Sequence, residues 1–377
     1  MNKGMRLIIL GALVLVAIGL ATVTSVSAPQ AGRFNWDPNH FAIRQFLFAG
    51  VAVLFGIVIL PRVDYHLLLR RDIAWAMVFL TGFALVSVWM PGVADDAHNG
   101  SSRWIRCGPI RIQPSEFVRV AICVLYARWC SAIRSRNEEF LHGIVLPLLC
   151  LMPVLALLIK QPDYGSTCLT ATMVLALLYA GGARTSHVLL VAAVGFAAFG
   201  FLIFADAEHR SRFLAVYASN LVDSEDTHQV IASLLAFRRG GLTGIGYGSS
   251  VMKELYLPEA HTDFILAMTG EELGLVFTLI VVLANLMILY GGWTVSRQCF
   301  DKFGKVLAFG LTLHLCLAAA VNIAVVTKLL PTKGLALPFM SYGGSNLMAS
   351  FLVLGLLLSV GRHGQTSLQD QPILLQT

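Results

Sequence analysis

The sequence predicts an all-α polytopic membrane protein, with about ten transmembrane helices and a large loop between the seventh and the eighth. Three observations predict it. Of 377 residues, 57% are hydrophobic and 13% charged, with a mean hydropathy of +0.75, whereas roughly a quarter of the residues in soluble domains are charged. Apolar runs of near-bilayer length recur along the whole chain. No long polar interval separates them, so residues 1–377 read as one integral-membrane domain without a separate soluble catalytic unit.

Lys3 and Arg6 lead into the first run, Leu7 to Val23. Val26-Ser27-Ala28 has the small residues of a signal-peptide cleavage site, but Pro29 stands just past the would-be cut and the run can span a bilayer, so it is read as the first helix. Further spans are expected at Gln45–Leu60, Ile73–Pro91, Pro114–Ile133, Leu141–Ile159, Thr167–Ala180, Val188–Ala205, Phe264–Trp293, Phe303–Thr327 and Asn346–Val360. Each reaches or approaches the ~20 residues that cross ~30 Å. An even number of spans puts both termini on one side.

The formal charge of +6 is spread as single cations and pairs at the ends of apolar runs, not as a stripe, so it marks topology and headgroup contact and excludes a nucleic-acid surface. Arg70 and Arg71, Arg134 and Arg136, Arg184, and Lys302 and Lys305 fall on the same side as Lys3, Arg6 and Arg362 in short loops, which makes that side cytoplasmic. The opposite side carries a comparable number over much longer loops, a surface suited to a polyanionic headgroup. The seven cysteines include no CxxC pair and fall mostly inside apolar runs, so no disulfide or metal is assigned to them.

The loop from Asp206 to Thr262 has two textures. Its first part is polar. Val230 to Phe237 is apolar and is expected to form an interfacial or re-entrant helix. Gly240 to Gly248, GGLTGIGYG, follows as a flexible hinge or lid, with anion contact through its N–H groups as the alternative. The residues after about 363 read as a cytoplasmic tail without recognisable chemistry.

Charged groups in apolar surroundings are functional candidates by default. Asp263 stands directly before an apolar run, a place that suits a helix N-cap and a reactive carboxylate alike. Glu271 lies ~12 Å further along a helix and ~80° round it, and Glu272 falls on nearly the opposite face. The two glutamates must face the protein interior and are expected to pair with Lys328 or Lys333. Glu116 in the first turn after Pro114 can pair with Arg119 at i+3, or meet substrate. Asp163 sits at the tip of the Lys160–Ser166 turn. Pro331, Pro338 and Gly343-Gly344 break the last outer loop, as irregular backbone lining a cavity does.

Taken together, RWI…GPIRIQPSEF (Arg103 to Phe117), QPDYGS (Gln161 to Ser166), GGLTGIGYG, LPEAHTDFILAMTGEELG (Leu257 to Gly274) and PTKGLALPFMSYGGSN (Pro331 to Asn346) resemble the SEDS family of shape, elongation, division and sporulation proteins. The resemblance covers nearly the whole chain in the family's order and is most like the division branch. It implies a bacterial inner-membrane glycosyltransferase that polymerises lipid II on the periplasmic face at the septum, working with a class B penicillin-binding protein and other divisome membrane proteins. The family's essential aspartate maps to Asp263. Arg103, Glu116, Asp163, Glu271, Glu272, Lys333, Ser341, Gly343 and Gly344 also fall on motif positions. Arg119 stands where the family more often has Lys, and Asn346 where a second Ser is common. Arg keeps the charge but not the geometry.

Under that reading Asp263 is the base, and the pyrophosphate leaving group is met by cations among Arg103, Arg119, Arg210, Arg212 and Lys333. Mg²⁺ or Mn²⁺ would be bound jointly by a carboxylate and the substrate phosphate. Two other classes stay open from sequence: a lipid II flippase, since broken helices and buried acids also build carriers, and a non-catalytic divisome scaffold.

Overall fold

The computed structural model describes residues 2–33, 37, 39–90, 103–108, 110–205, 210, 225–255, 260–331 and 334–364. Every one of the ten expected runs is helical. They are α1 (Lys3–Arg33), α2 (His40–Val53), α3 (Arg71–Ser87), α4 (Pro114–Ala132), α5 (Leu146–Lys160), α6 (Tyr164–Ala180), α7 (Thr185–Ala205), α10 (Ile265–Gln298), α11 (Lys302–Val326) and α12 (Gly344–His363). α8 (Glu225–Gly240) and α9 (Met252–Leu255) lie within the large loop. α2 runs on through a wide π turn to Ile59 and a tight turn to Arg62 around Pro61, and α5 is entered through a π turn at Leu141–Val145. Among the described residues six helices are long and apolar enough to cross a membrane, and α6 and α7 contribute shorter apolar ones.

The packing follows membrane logic. Central α12 is the most enclosed span, with 83% of its apolar window buried, while Trp75 and Phe79 of α3 and Phe201 of α7 point outward. α1 and α10 approach closely because Gly4 and Gly11 face the Gly291 and Ala284 carbonyls, where a Cβ would collide. Small residues allow this contact in lipid, where no hydrophobic force draws helices together.

Two ends result. At one end, Asn2 donates to the Gln298 side chain at 3.0 Å and Phe300 N–H to the Gly364 carbonyl at 2.9 Å, so the first and last described residues lie side by side. Tyr65, His66, Cys299 and Asp301 close this end. The other end gathers the sequence motifs.

Three features depart from expectation. Ile105–Cys107 (β1) and Ile110–Ile112 (β2) form an antiparallel hairpin turning at Gly108, where only a loop is read from sequence. The helix in the large loop is a full sixteen residues, and its Ser233 donates to the Val326 carbonyl at 2.7 Å. Finally, α10 continues past Trp293 to Gln298 and is broken near its start at Gly274, whose φ is +80°.

Candidate functional site

The site is built on the turn just before α10. Phe264 takes the N-cap position and brings no side-chain cap, so Asp263 precedes the helix without filling the N-cap position. Three successive backbone carbonyls of His261-Thr262-Asp263 are each held by a different group. Tyr342 N–H donates to the His261 carbonyl at 2.9 Å, Ser341 Oγ to that of Thr262 at 2.6 Å, and Asn322 Nδ2 to that of Asp263 at 2.8 Å. A turn pinned at three consecutive peptides fixes the direction of its side chains.

The pinning groups are themselves supported. Ser341 Oγ accepts Leu337 N–H at 2.8 Å, and Asn322 also donates to the Leu335 carbonyl at 2.7 Å. Gln45 of α2 donates to the Ser341 carbonyl at 3.1 Å and accepts Gly343 N–H at 3.3 Å. Ser345 links the loop to β2, donating to the Arg111 carbonyl and accepting Gln113 N–H, both at 3.1 Å. Much of the irregular 334–343 backbone is therefore hydrogen-bonded to the rest of the protein, as non-helical backbone in a membrane protein requires. Gly334 lies over the carboxylate: a Cβ on it would stand 3.2 Å from Asp263 Oδ2. Asp263 itself is half-buried.

One edge of this site is cationic. Burial raises the pKa of the Tyr342 phenol, while the fields of Arg44 and Arg111 pull it the other way, so both arginines lie close to the SYGG loop.

A second polar group sits between α4 and α6. Glu116 and Arg119 form the expected i+3 ion pair, and Arg119, 2% exposed, also donates to Ser166 Oγ at 3.3 Å. Asp163 caps α6 through Ser166 N–H at 3.1 Å, and its Oδ2 is sealed without a partner among the described residues. Arg103 donates to the Gln161 carbonyl at 3.2 Å and to that of Pro162, which fixes the turn. Gly165 of that turn packs on Leu335, so the cluster abuts the loop that carries Gly334. Arg210 is exposed; Arg212 and Lys333 lie outside the described residues, as does the start of LPEAHTDF.

The Glu271 and Glu272 carboxylates are each paired, although Glu272 Oε2 is sealed without a partner among the described residues. Glu271 and Glu272 are 0% and 1% exposed. Their cations are Arg239 and Lys253, in place of the expected Lys328 or Lys333: Arg239 Nε lies 3.5 Å from Glu271 and Lys253 Nζ 3.1 Å from Glu272. Ser250 Oγ donates to Glu271, and Ser25 of α1 to Glu272 at 2.7 Å. Lys253 also donates to the Gly248 carbonyl at 2.7 Å.

The physical reason is the break at Gly274. It frees backbone groups that the Gly-rich stretch takes up: Ile245 N–H donates to the Glu271 carbonyl at 3.0 Å and Gly246 N–H to that of Glu272 at 3.2 Å, while Leu275 N–H donates to the Gly241 carbonyl at 3.0 Å. Gly244 and Gly274 both have positive φ and meet backbone to backbone with no room for a Cβ. The stretch expected as a hinge is a clip, and the N–H groups of Gly244, Ile245 and Gly246 are committed to protein carbonyls.

Asn322, Gln45, Arg239, Lys253 and Ser25 are absent from the sequence-based site. The available signal was a lone amide in an apolar run, as at Asn322 and Gln45, since such a group must find a partner.

Comparison with known proteins places these features in a wider set. A family model described as "Cell cycle protein", covering FtsW, RodA and SpoVE, matches residues 5–366. A probable peptidoglycan glycosyltransferase FtsW from Geobacter sulfurreducens is 37% identical over 357 residues, 94% of each chain. Stage V sporulation protein E of Bacillus subtilis is 34% identical over 95% of this chain and 97% of that one. Among solved structures, Thermus thermophilus RodA superposes with a TM-score of 0.69 at 23% identity, covering 96% of this chain and 97% of RodA. A chain from a peptidoglycan synthase complex that coordinates polymerization and crosslinking gives 0.73 at 23% identity, covering 94% and 96%.

Proposed function

The chain belongs to the FtsW, RodA and SpoVE family of cell cycle proteins, and from that premise we propose how its site works. It is a multi-pass membrane peptidoglycan glycosyltransferase, and Asp263 is its general base. The observation that carries the assignment is the contrast in burial among the acids of one segment: Glu271 and Glu272 are sealed inside the protein, whereas Asp263 is half-buried on a turn whose three carbonyls are each held. A base needs a fixed position and an accessible carboxylate.

In this reading Asp263 removes the proton from the acceptor sugar's 4-hydroxyl as that oxygen attacks the anomeric carbon of the lipid II donor. Undecaprenyl pyrophosphate leaves. An α-linked donor and β-linked product require inversion, so one displacement with one base suffices. The hydroxyl must come within ~3 Å of the carboxylate in the reacting complex. Arg44 and Arg111, on the Tyr342 side, are suited to the leaving diphosphate. Arg210, Arg212 and Lys333 join them on sequence grounds, while Arg103 and Arg119 act by holding the 161–166 turn. Among the described residues no three His, Cys, Asp or Glu side chains converge into a metal cage. Mg²⁺ or Mn²⁺ would be completed by substrate oxygens and would neutralise diphosphate charge.

The motif end then faces the periplasm, the termini face the cytoplasm, and the division septum is the site of action, as the FtsW relatives suggest. A class B penicillin-binding protein is the proposed partner, a reading supported by the likeness to a chain of a peptidoglycan synthase complex. The test is purified protein, with and without that partner, given labelled lipid II in vesicles while other polymerases are inhibited. Glycan polymer that disappears with Asp263→Asn is the expected result. Lipid II crossing the vesicle without polymer would establish a flippase instead, and wild-type polymerisation by the variant would remove Asp263 as base.

A further inference from the structure

His261 lies two residues before the proposed base, and the mechanism above does not use it. Its ring is clamped between Phe41 of α2, with centroids 5.6 Å apart, and Tyr342, 5.3 Å away. Its backbone carbonyl is fixed by Tyr342 N–H. Nδ1 is sealed from solvent without a hydrogen-bond partner among the described residues. Nε2 is not among the sealed atoms, and the side chain is only partly buried, so Nε2 is the open corner of the ring.

A sealed N–H without an acceptor is rarer in proteins than a sealed acceptor without a donor. The proton therefore belongs on Nε2, facing outward. Burial pushes the imidazole pKa down to about 4, which keeps the ring neutral at physiological pH. The ionisable groups around it are His40 and Arg44 on α2, Tyr342 and Arg111 on the SYGG side, and Asp263 on its own turn.

We propose that His261 is a second catalytic residue, whose neutral Nε2–H donates a hydrogen bond to a phosphate oxygen of the departing lipid diphosphate. Asp263 takes the acceptor's proton as the new C–O bond forms, and the bond from the anomeric carbon to the phosphate oxygen breaks with its electron pair going to the diphosphate. His261 transfers no proton; it stabilises charge as that charge develops. Its ring packs on Tyr342, whose phenol feels Arg44 and Arg111, so the donor stands on the cationic edge of the site, where a diphosphate would lie. A neutral, preorganised donor in a partly dry site acts in the way an oxyanion hole does. The inference rests on the glycosyltransferase reading.

The experiment uses the full chain in lipid nanodiscs with its transpeptidase partner and labelled lipid II, comparing His261→Phe, His261→Gln and His261→Asn. Phe keeps the aromatic clamp and removes the donor; Gln carries an amide near the Nε2 position, and Asn near Nδ1. The expected result is a kcat loss of ~10²–10³ for Phe, the usual effect of deleting one such donor, with KM changed little, an unaltered melting temperature, and recovery to within about tenfold for Gln but not Asn. The wild-type and Gln profiles between pH 5.5 and 8 should coincide. Wild-type kcat in the Phe variant would reduce His261 to an aromatic wedge. Equal activities of Gln and Asn would overturn the donor role, and that comparison decides if the Phe variant is unstable. Asp263→Asn is run alongside: polymerisation by that variant removes the base assignment whatever His261 does.

Discussion

Asp263 and the Glu271–Glu272 pair occupy one short segment and have opposite fates. The aspartate is held by its backbone, with its carboxylate at a half-open site under Gly334. The glutamates are held by their side chains, which tie α10 to α1 and to the clip. Acids near a membrane thus divide by burial and by what fixes them, the peptide or the carboxylate. The first arrangement leaves chemistry available; the second converts charge into architecture.

The sharpest way to break this contrast is Asp263→Asn. The side chain keeps its size and the backbone bonds to Tyr342, Ser341 and Asn322 do not involve it, so the protein should melt like wild type. Polymerisation should fall by ~10²–10⁴, the range for losing a positioned base. A variant that loses both activity and stability would place Asp263 with the structural acids instead.

The converse holds for Lys253→Met. Lys253 is buried and bonds Glu272, Ser25 and the Gly248 carbonyl, so its removal strands a buried carboxylate at a cost of about 3–5 kcal/mol. Thermal unfolding in detergent should show this, and Lys253→Met with Glu272→Leu should recover most of it, since two apolar groups replace a desolvated pair. No recovery in the double variant would mean that the pair does more than hold the clip.

Much of this was legible in the sequence, and the omissions have a common cause. Each apolar run became a helix because bilayer-length hydrophobicity is a local property. Asp263 stood out because it is an acid beside such a run, and the Glu116–Arg119 pair followed from i,i+3 spacing. The partners of Glu271 and Glu272 did not, because Arg239 and Lys253 reach them only after Gly274 breaks α10 and the 240–248 stretch docks backbone to backbone. A run of glycines signals either freedom or close approach, and only the carbonyls of Glu271 and Glu272 decide between the two. The 105–112 hairpin was hidden for a related reason: two three-residue strands lie below any periodicity signal.

A milder perturbation of the same contrast is Asn322→Leu. It leaves the Asp263 and Leu335 carbonyls without their donors, at a cost of about 1–3 kcal/mol for each unpaired group. The carboxylate itself is untouched, so polymerisation should fall by up to ~10²-fold through misplacement alone, with the dependence on pH retained. Unchanged kcat would show that the turn is fixed well enough by Ser341 and Tyr342.

The smallest effect is expected at the end that carries the first and last described residues, where a third set of acids is engaged as Glu271 and Glu272 are. His66 Nδ1 lies 2.7 Å from Asp64 and Nε2 3.7 Å from Asp301, while Tyr65 and Gly304 N–H donate to Asp301. Burial alone would lower the His66 pKa, but Asp301 and Asp64 outweigh it and raise it above its ordinary value. Burial alone would likewise raise Asp301, but the nearby His66 ring and the bonds from Tyr65 and Gly304 N–H hold it well below the carboxylate range. A raised histidine contributes stability that is fully present below its unfolded pKa of ~6.5 and is lost as pH rises through the folded value; a depressed aspartate contributes stability that is lost on acidification. Thermal midpoints should therefore decline as pH rises above neutral, and His66→Gln should flatten that decline without touching polymerisation at the opposite end. If the slope persists in the variant, the decline belongs to another group, and the His66–Asp301 cluster holds by packing around Tyr65 and Phe303, stacked at 5.9 Å, more than by charge.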